Sequence, residues 1–435
     1  MAPEALVCRE CDSSYPLEAR YVCERCFGPL DVKYDASDID PTEARRKIQA
    51  GSRGIWRYAD FLPFAERPRD PLEPGLTPLT RADRLAGRLG LRELWVKNDA
   101  ANPTHSFKDR VVAVALAKAR ELGFSTVACA STGNLANAVA AHAAAAGLDS
   151  YVFVPADLEE QKLLATGVYG TRLVGVKGNY DDVNRLCTQL CEARPWAFVN
   201  VNLRPYYSQG SKTLAFETVE QLGWSLPDRI VGPIASGSLF VKLGRGFSEW
   251  IELGLVKGEL PTFNGAQAAG CSPVATAFAE GRDFCVPQRP DTIAKSLAIG
   301  DPADGPYALE LARDSGGAID SVGDDEIREG IRLLAETTGI FTETAGGVTI
   351  ATLAHLAGRG DIDPDERVVA YITGEGLKTL DATRDEFRMY EIEPTLEAFE
   401  SELERAGTAS GARGQNSPGH GRTGEPGLEP VAAAS

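Results

Sequence analysis

Asn102-Pro103-Thr104-His105-Ser106-Phe107-Lys108-Asp109-Arg110 stands between a short strand-like run, Leu94-Trp95-Val96, and a helical one, Val111 to Leu122, closed by Gly123. Strand, loop and helix in that order are the repeating unit of α/β folds. Lys108 falls at the first turn of the helix, in the field of unpaired backbone N–H groups. The positive end of a helix disfavours an ammonium there. An amine able to shed its proton is what a carbonyl-bearing cofactor needs. A solvated lysine beside a helix start is the plain alternative, and a lone lysine would be no more than that.

Outward from this stretch the alternation continues. Towards the C-terminus, strands at 126–130, 151–155, 171–176 and 197–201 interleave with helices at 135–146, 158–166 and 181–193. A second set pairs helices at 212–222, 239–253, 325–337 and 348–356 with strands at 229–234, 265–268 and 367–372. Such alternation predicts mostly parallel sheets flanked by helices. Cys187 and Cys191, four residues apart beside Leu186 and Leu190, read as one buried face of a helix. Towards the N-terminus, Gly75-Leu76-Thr77-Pro78-Leu79 leads into an amphipathic helix near 82–89, preceded by an irregular arm with a short helix at 42–50. From about Gly407 the chain turns to Gly, Ser, Pro, Arg and Ala without apolar periodicity, which predicts disorder.

With 435 residues the chain is too long for one core, and two or three domains are expected. Its formal charge of −17 repels phosphate backbones and anionic lipid, so neither nucleic acid nor a membrane is an expected partner. No apolar run approaches the ~20 residues that span a bilayer, and the N-terminal residues do not form a secretory signal. The expected compartment is cytoplasmic.

Four of the nine cysteines are patterned: Cys8-x2-Cys11 and, eleven residues on, Cys23-x2-Cys26. In a reducing setting this spacing suits a closed structural zinc site better than disulfides. Gly28, two places after Cys26, is expected to give the sharp turn that aims backbone N–H groups at the thiolates; Ser13 stands at the equivalent place in the first pair. The residues between the pairs make no basic face. Because the chemistry proposed for Lys108 needs no metal, the knuckle is expected to lie apart from it.

The nonapeptide resembles the pyridoxal-phosphate (PLP) lysine motif N-P-T-x-S-F-K-D-R of the threonine synthases and their relatives, some of which carry a similar N-terminal cysteine knuckle. The likeness runs from Cys8 to about Ala382. It implies fold type II of the PLP enzymes, the tryptophan synthase β-like fold: α/β, two domains, each a mostly parallel sheet flanked by helices, with a small zinc-ribbon-like arm. The expected divisions are a zinc-ribbon-like segment at 1–35, an arm and the start of the large domain at 36–108, a small α/β domain at 109–205, the large cofactor-binding domain at 206–405, and a tail at 406–435.

Lys108 is then the cofactor lysine. Ser131-Thr132-Gly133-Asn134 resembles S-[ST]-G-N, in which the asparagine meets the cofactor's ring oxygen and the loop takes the substrate's α-carboxylate; Ser106 is expected beside it. Ala235-Ser236-Gly237-Ser238-Leu239 is the candidate phosphate nest at a helix N-terminus, with serines where relatives have more glycine. Thr373-Gly374-Glu375-Gly376-Leu377-Lys378 resembles T-G-x-G-L-K, and the Thr373 hydroxyl would meet the ring nitrogen and leave it largely neutral. Arg204, Ser208 and Lys212 lie in a stretch resembling the segment around the substrate phosphate. Thr292 to Gly300 resembles T-I-A-x-x-[LI]-x-I-G. Phe341-Thr342-Glu343-Thr344-Ala345-Gly346-Gly347 departs from the commoner E-P-A-[SG], and its role is open. The implied reaction converts O-phospho-L-homoserine and water to L-threonine and phosphate, in a homodimer as is usual for relatives. His105 replaces the family's usual glycine, which leaves room for a relative acting on O-phosphoserine or for a threonine/serine dehydratase.

Overall fold

The computed structural model describes residues 1–66, 68, 71–178, 180–384 and 389–413, and at 180, 181 and 406–413 the backbone alone. Three strands, β1 (Ala2–Cys8), β2 (Ser14–Tyr15) and β3 (Leu30–Asp35), form an antiparallel sheet in the order β2-β1-β3. Its cysteine knuckles hang between the strands. Leu6, Leu30 and Val32 share one buried cluster with Val111, Leu116 and Tyr206, so the arm packs on elements far along the chain. Helix α1 (Pro41–Gln49) follows, capped by Asp40, whose carboxylate accepts from Glu43 N at 2.7 Å.

The large sheet begins with β4 (Leu79–Arg81), then α2 (Asp83–Leu89) and β5 (Glu93–Asn98). The chain leaves it through α3 (Lys108–Glu121) and builds a separate four-stranded parallel sheet. That sheet comprises β6 (Thr126–Ala130), α4 (Asn134–Ala146), β7 (Asp149–Pro155), α5 (Glu160–Gly167), β8 (Arg172–Val176), α6 (Tyr180–Ala193) and β9 (Ala197–Phe198), in strand order β8-β7-β6-β9. The expected strand at 197–201 stops early because Asn202 folds the chain back: its Oδ1 accepts from Phe198 N at 2.8 Å, and its Nδ2 donates to Trp196 O. Cys187 is buried and Cys191 partly so, both against this sheet.

Helices α7 (Arg204–Gln209) and α8 (Lys212–Gln221) return to the large sheet. It is completed by β10 (Arg229–Pro233), α9 (Ser238–Glu252), β11 (Thr262–Ala268), α10 (Pro273–Ala279), α11 (Gly305–Asp314), β12 (Ile319–Val322), α12 (Asp324–Thr338), α13 (Thr344–Arg359) and β13 (Arg367–Ile372). Its order is β12-β11-β10-β13-β5-β4, parallel except for β4 at the edge. Val368, Val369, Ala370, Tyr371 and Ile372 of β13 are all buried, the near-continuous apolar run of a parallel strand covered on both faces. The sheets thus draw their strands from 126–198 and from 79–98 with 229–372, and residues 1–382 form one compact unit.

The second unit, from Thr383, contains α14 (Leu396–Arg413). Its helix runs through 406–413, inside the stretch expected to be disordered: Ala406 and the alanines after Gly407 sustain helical backbone that their lack of apolar period had argued against. Residues 414–435 lie outside the described ones.

Beneath the large sheet sits a buried ionic cluster. Arg110 donates to Asp99 at 2.6 and 2.8 Å and to Glu217 at 2.5 and 2.7 Å. Lys97 Nζ donates to Glu217 Oε2 at 2.7 Å, and Thr77 Oγ1 donates to Asp99 Oδ1 at 2.6 Å. All five side chains are essentially unexposed. The cluster ties the Gly75–Leu79 stretch and β5 to the start of α3 and to α8, so the lysine helix is anchored by charge as well as by packing.

Candidate active site

Parallel neighbours emerge from a sheet at the same edge, so the carboxyl ends of β5, β13 and β10 lie side by side. The loops leaving β5 and β13 are knitted by backbone bonds to each other and to the segment that leads into α13. Phe107 N donates to Thr373 O at 2.9 Å, Glu375 N to His105 O at 3.2 Å, and Glu343 N to Gly374 O at 3.1 Å. Three segments far apart in sequence, 105–107, 341–343 and 373–376, therefore form one wall.

Lys108 is the first residue of α3, and its amine donates to the Tyr207 hydroxyl at 3.1 Å. The neighbouring Asp109 locks the turn: it accepts from Thr104 N at 2.8 Å and Thr104 Oγ1 at 2.9 Å, and meets His142 Nε2 of α4 at 3.0 Å. His105 adopts φ 61°, a left-handed conformation that glycine takes without strain, and its side chain is exposed. The exposure points the histidine away from the buried side of the wall.

Asn134 opens α4 directly after the Ser131-Thr132-Gly133 loop, where a Cβ at Gly133 would meet open space. Its Nδ2 donates to Glu343 Oε2 at 2.9 Å, and its Oδ1 accepts from Lys378 Nζ at 2.8 Å. Thr373 Oγ1 donates to the other oxygen of Glu343 at 3.4 Å. Glu343 thus joins two side chains that the sequence had singled out separately. Its carboxyl packs on Gly374, where a Cβ would come within 2.5 Å of it. Burial pushes the Glu343 carboxyl above the usual range, although Asn134, Lys378, Thr373 and Lys108 pull the other way. Burial likewise lowers the Lys378 ammonium. The one sequence signal for Glu343 was an acidic residue before the small, apolar start of α13.

Ser106 is fully buried and its Oγ has no hydrogen-bond partner; Thr344 Oγ1 is in the same state. An amine, an amide, buried hydroxyls without partners, and a glycine-turned helix start fit a group bearing a carbonyl, a phenolic oxygen, a ring nitrogen and a phosphate. Ala235-Ser236-Gly237-Ser238-Leu239 runs from the end of β10 into α9, with Gly237 at φ 94° as the residue before the helix.

Of the expected anion ligands, Arg204 is one helical turn before Tyr207, on the same face of α7. Its guanidinium donates to Asp304 at 2.7 Å. Ser208 spends its hydroxyl on Pro205 O at 3.1 Å. Lys212 is not brought to the site: its amine is unexposed and donates to Glu249 at 2.9 Å and Phe61 O at 3.0 Å. A buried ammonium needs such partners, and a carboxylate 37 residues away in the chain supplies one.

The sulfurs of Cys8, Cys11, Cys23 and Cys26 lie within 4.8 Å of one another, a grouping able to hold a metal ion. Glu10 N–H and Arg25 N–H point at Cys8 and Cys23 at 3.4 and 3.3 Å. The turning residues are Asp12 (φ 56°) and Phe27 (φ 60°) rather than Gly28, which instead packs against Cys8. Nor does the knuckle lie apart: Arg9 is 3.9 Å from Asp304, the partner of Arg204.

The family model of pyridoxal-phosphate-dependent enzymes matches residues 71–374. The chain is 39% identical over 379 residues to the threonine synthase of Methanocaldococcus jannaschii, covering 86% of this chain and 93% of that one. It is 39% identical over 376 residues to that of Methanosarcina acetivorans, covering 86% and 92%. Among solved structures, processed threonine deaminase isoform 2 from Solanum lycopersicum superposes with a TM-score of 0.60 at 20% identity, covering 86% of this chain and 90% of that one. Maize serine racemase gives 0.59 at 17%, covering 84% and 98%. At such identities these two speak for the fold alone.

Proposed function

We propose, for a chain that belongs to the pyridoxal-phosphate-dependent enzymes and within them to the threonine synthases, that it converts O-phospho-L-homoserine and water to L-threonine and phosphate. In that reaction the bond from Cγ to the phosphate oxygen breaks and Cγ gains a proton, while Cβ loses a proton and forms a bond to a water oxygen, whose own proton is released. The observation that carries the reading is the Lys108 amine at the head of α3, on a wall shared with the linked trio Asn134, Glu343 and Thr373.

Bound pyridoxal phosphate supplies a carbonyl for the substrate's amino group and an electron-withdrawing ring for carbons losing a proton. The protein does the rest. Lys108 holds the cofactor and then moves protons at Cα and Cβ, with Tyr207 orienting its amine at 3.1 Å. Asn134 would meet the ring oxygen and Thr373 the ring nitrogen. Glu343 fixes both side chains from one point. Ser131, Thr132 and Gly133 would take the α-carboxylate, with Ser106 donating its unpartnered hydroxyl. Residues 235–239 would hold the cofactor's phosphate on the N-terminus of α9. Arg204 would receive the departing phosphate, exchanging Asp304 for a dianion.

The proposal extends to a structural zinc on Cys8, Cys11, Cys23 and Cys26, and to a cytoplasmic homodimer. A reducing compartment keeps four thiolates available for metal. Among the described residues no helix is long and apolar enough to cross a membrane. Product analysis after mixing the cofactor-loaded protein with O-phosphohomoserine, O-phosphoserine and threonine tests the reaction; release of phosphate with threonine from the first alone is the expected result. Lys108→Ala should lower turnover by roughly 10²–10⁴-fold or more while the fold persists. Full turnover in that variant would remove Lys108 from its role. Metal analysis should find close to one zinc per chain.

A further inference from the structure

The residues between the first two knuckle cysteines are turned towards the cofactor loop. Arg9 lays its guanidinium over the Tyr307 ring, 3.5 Å from its centroid, and sits 3.9 Å from Asp304 Oδ1. Glu10 accepts from the Tyr307 hydroxyl. Asp304 binds Arg204 through its other oxygen at 2.7 Å. It also holds the nest directly: its N–H donates to Ser236 O at 2.8 Å, and its carbonyl packs on Gly237 so closely that a Cβ there would lie 2.6 Å away. A second contact runs parallel to the first, for Asp31 at the end of the arm accepts from Lys242 of α9 and from Gln209 of α7.

We propose that Arg9 is a positioning residue for the cofactor's phosphate: carried on the cysteine knuckle, it fixes Asp304, and Asp304 fixes the Ser236-Gly237 turn in the conformation that presents N–H groups to the anion. The inference rests on the reading of 235–239 as the phosphate loop. Asp304 alone would be an acidic group beside an anion site, which is unfavourable. With one oxygen on Arg204 and the other turned to Arg9, its charge is drawn away from the loop while its backbone remains in place. Arg9 in turn has a defined orientation because it is stacked on a ring whose hydroxyl is held by its own neighbour, Glu10.

A brace of this kind has a signature that general loss of stability lacks, since only the phosphorylated cofactor should feel it. Full-length protein stripped of cofactor would be titrated with pyridoxal phosphate and, separately, with pyridoxal. Arg9→Ala should raise the Kd for pyridoxal phosphate about tenfold and leave that for pyridoxal within about twofold, with Arg9→Lys in between. Tyr307→Phe, which keeps the ring and removes only the bond to Glu10, should move the same ratio about threefold and serves if the alanine variant folds poorly. Gly237→Ala, a change in the loop itself, sets the scale. If Gly237→Ala shifts the ratio and both Arg9 variants leave it unchanged, the brace is overturned although the loop reading stands. If Arg9→Ala weakens both ligands equally, its role is merely structural and the proposal fails. If Gly237→Ala also leaves the ratio unchanged, the phosphate loop lies elsewhere and the proposal falls with it.

Discussion

Glu217 and Glu343 are both glutamates cut off from solvent, and their surroundings push them in opposite directions. Glu217 receives two contacts from Arg110 and one from Lys97, each between 2.5 and 2.7 Å. Burial alone would raise its carboxyl, but Arg110 and Lys97 outweigh it and bring the value down to about 2. Glu343 is held by an amide and a hydroxyl, with its cations further off, and there burial wins. A buried carboxylate saturated by cations is committed to the fold. One given only neutral donors keeps an unsettled charge, and it stands at the candidate active site.

The sharpest way to break the comparison is to neutralise each carboxylate in turn. Glu217→Gln leaves Arg110 and Lys97 short of a partner and should cost about 3–5 kcal/mol of stability in urea unfolding at pH 7. A loss under about 1 kcal/mol would mean that the cluster is far less tightly coupled than its geometry implies. Glu343→Gln should leave unfolding at pH 7 nearly unchanged and lower turnover roughly 10–100-fold, about 1.4–2.7 kcal/mol of barrier. If it unfolds the protein as readily as the Glu217 change, the two carboxylates do not differ in their commitment to the fold.

Acid and base titration sharpens the same contrast. Glu217 is depressed in the folded protein, so its contribution, about 3 kcal/mol from a shift to about 2, is present above the ordinary carboxyl range and lost as pH falls through the folded value. Glu343 is raised, so the folded form keeps its proton to a higher pH than the unfolded chain does. Its favourable contribution is present at acid pH and is lost as pH rises through the folded value. Relative to its glutamine variant, the protein should therefore gain stability with pH at Glu217 and lose it at Glu343. Parallel slopes would refute the assignment. The smallest effect belongs to the exposed His105: His105→Gly should relieve the left-handed strain and stabilise by up to about 1 kcal/mol, with no change in the product formed.

Lys108, Asn134 and Thr373 could be singled out because each is carried by a short motif at a strand end, where local chemistry and position coincide. The alternation of strands and helices was legible for the same reason. The roles of Tyr207, Glu343 and Lys212 were not, because each is set by a partner remote in the chain. An ammonium on α8 looks the same in sequence whether it meets a phosphate or Glu249. Likewise the arm's two residues Arg9 and Glu10 read as a mixed, unremarkable surface until Tyr307 and Asp304 are brought beneath them. The three-stranded sheet of the arm went unread although Leu30, Val32 and Tyr34 alternate with Asp31, Lys33 and Asp35 in β3, because β2 has only two residues and β1, with Pro3 inside it, shows no such period.

The large sheet has its strands out of chain order, with β5 hydrogen-bonded to β13 and the whole four-stranded sheet lying between them in sequence. On a ribosome this imposes a schedule. The segment from β6 to β9 is contiguous and can close its own sheet soon after it emerges, whereas β5 must wait for β13, some 270 residues later. At about 5–20 residues per second that wait is tens of seconds, during which the parallel face of β5 stands unpaired. The strand meets it with Lys97, Asn98 and Asp99 at its end and with the short antiparallel β4 on its other side, polar groups and a ready neighbour that shield a nascent edge until its permanent partner arrives.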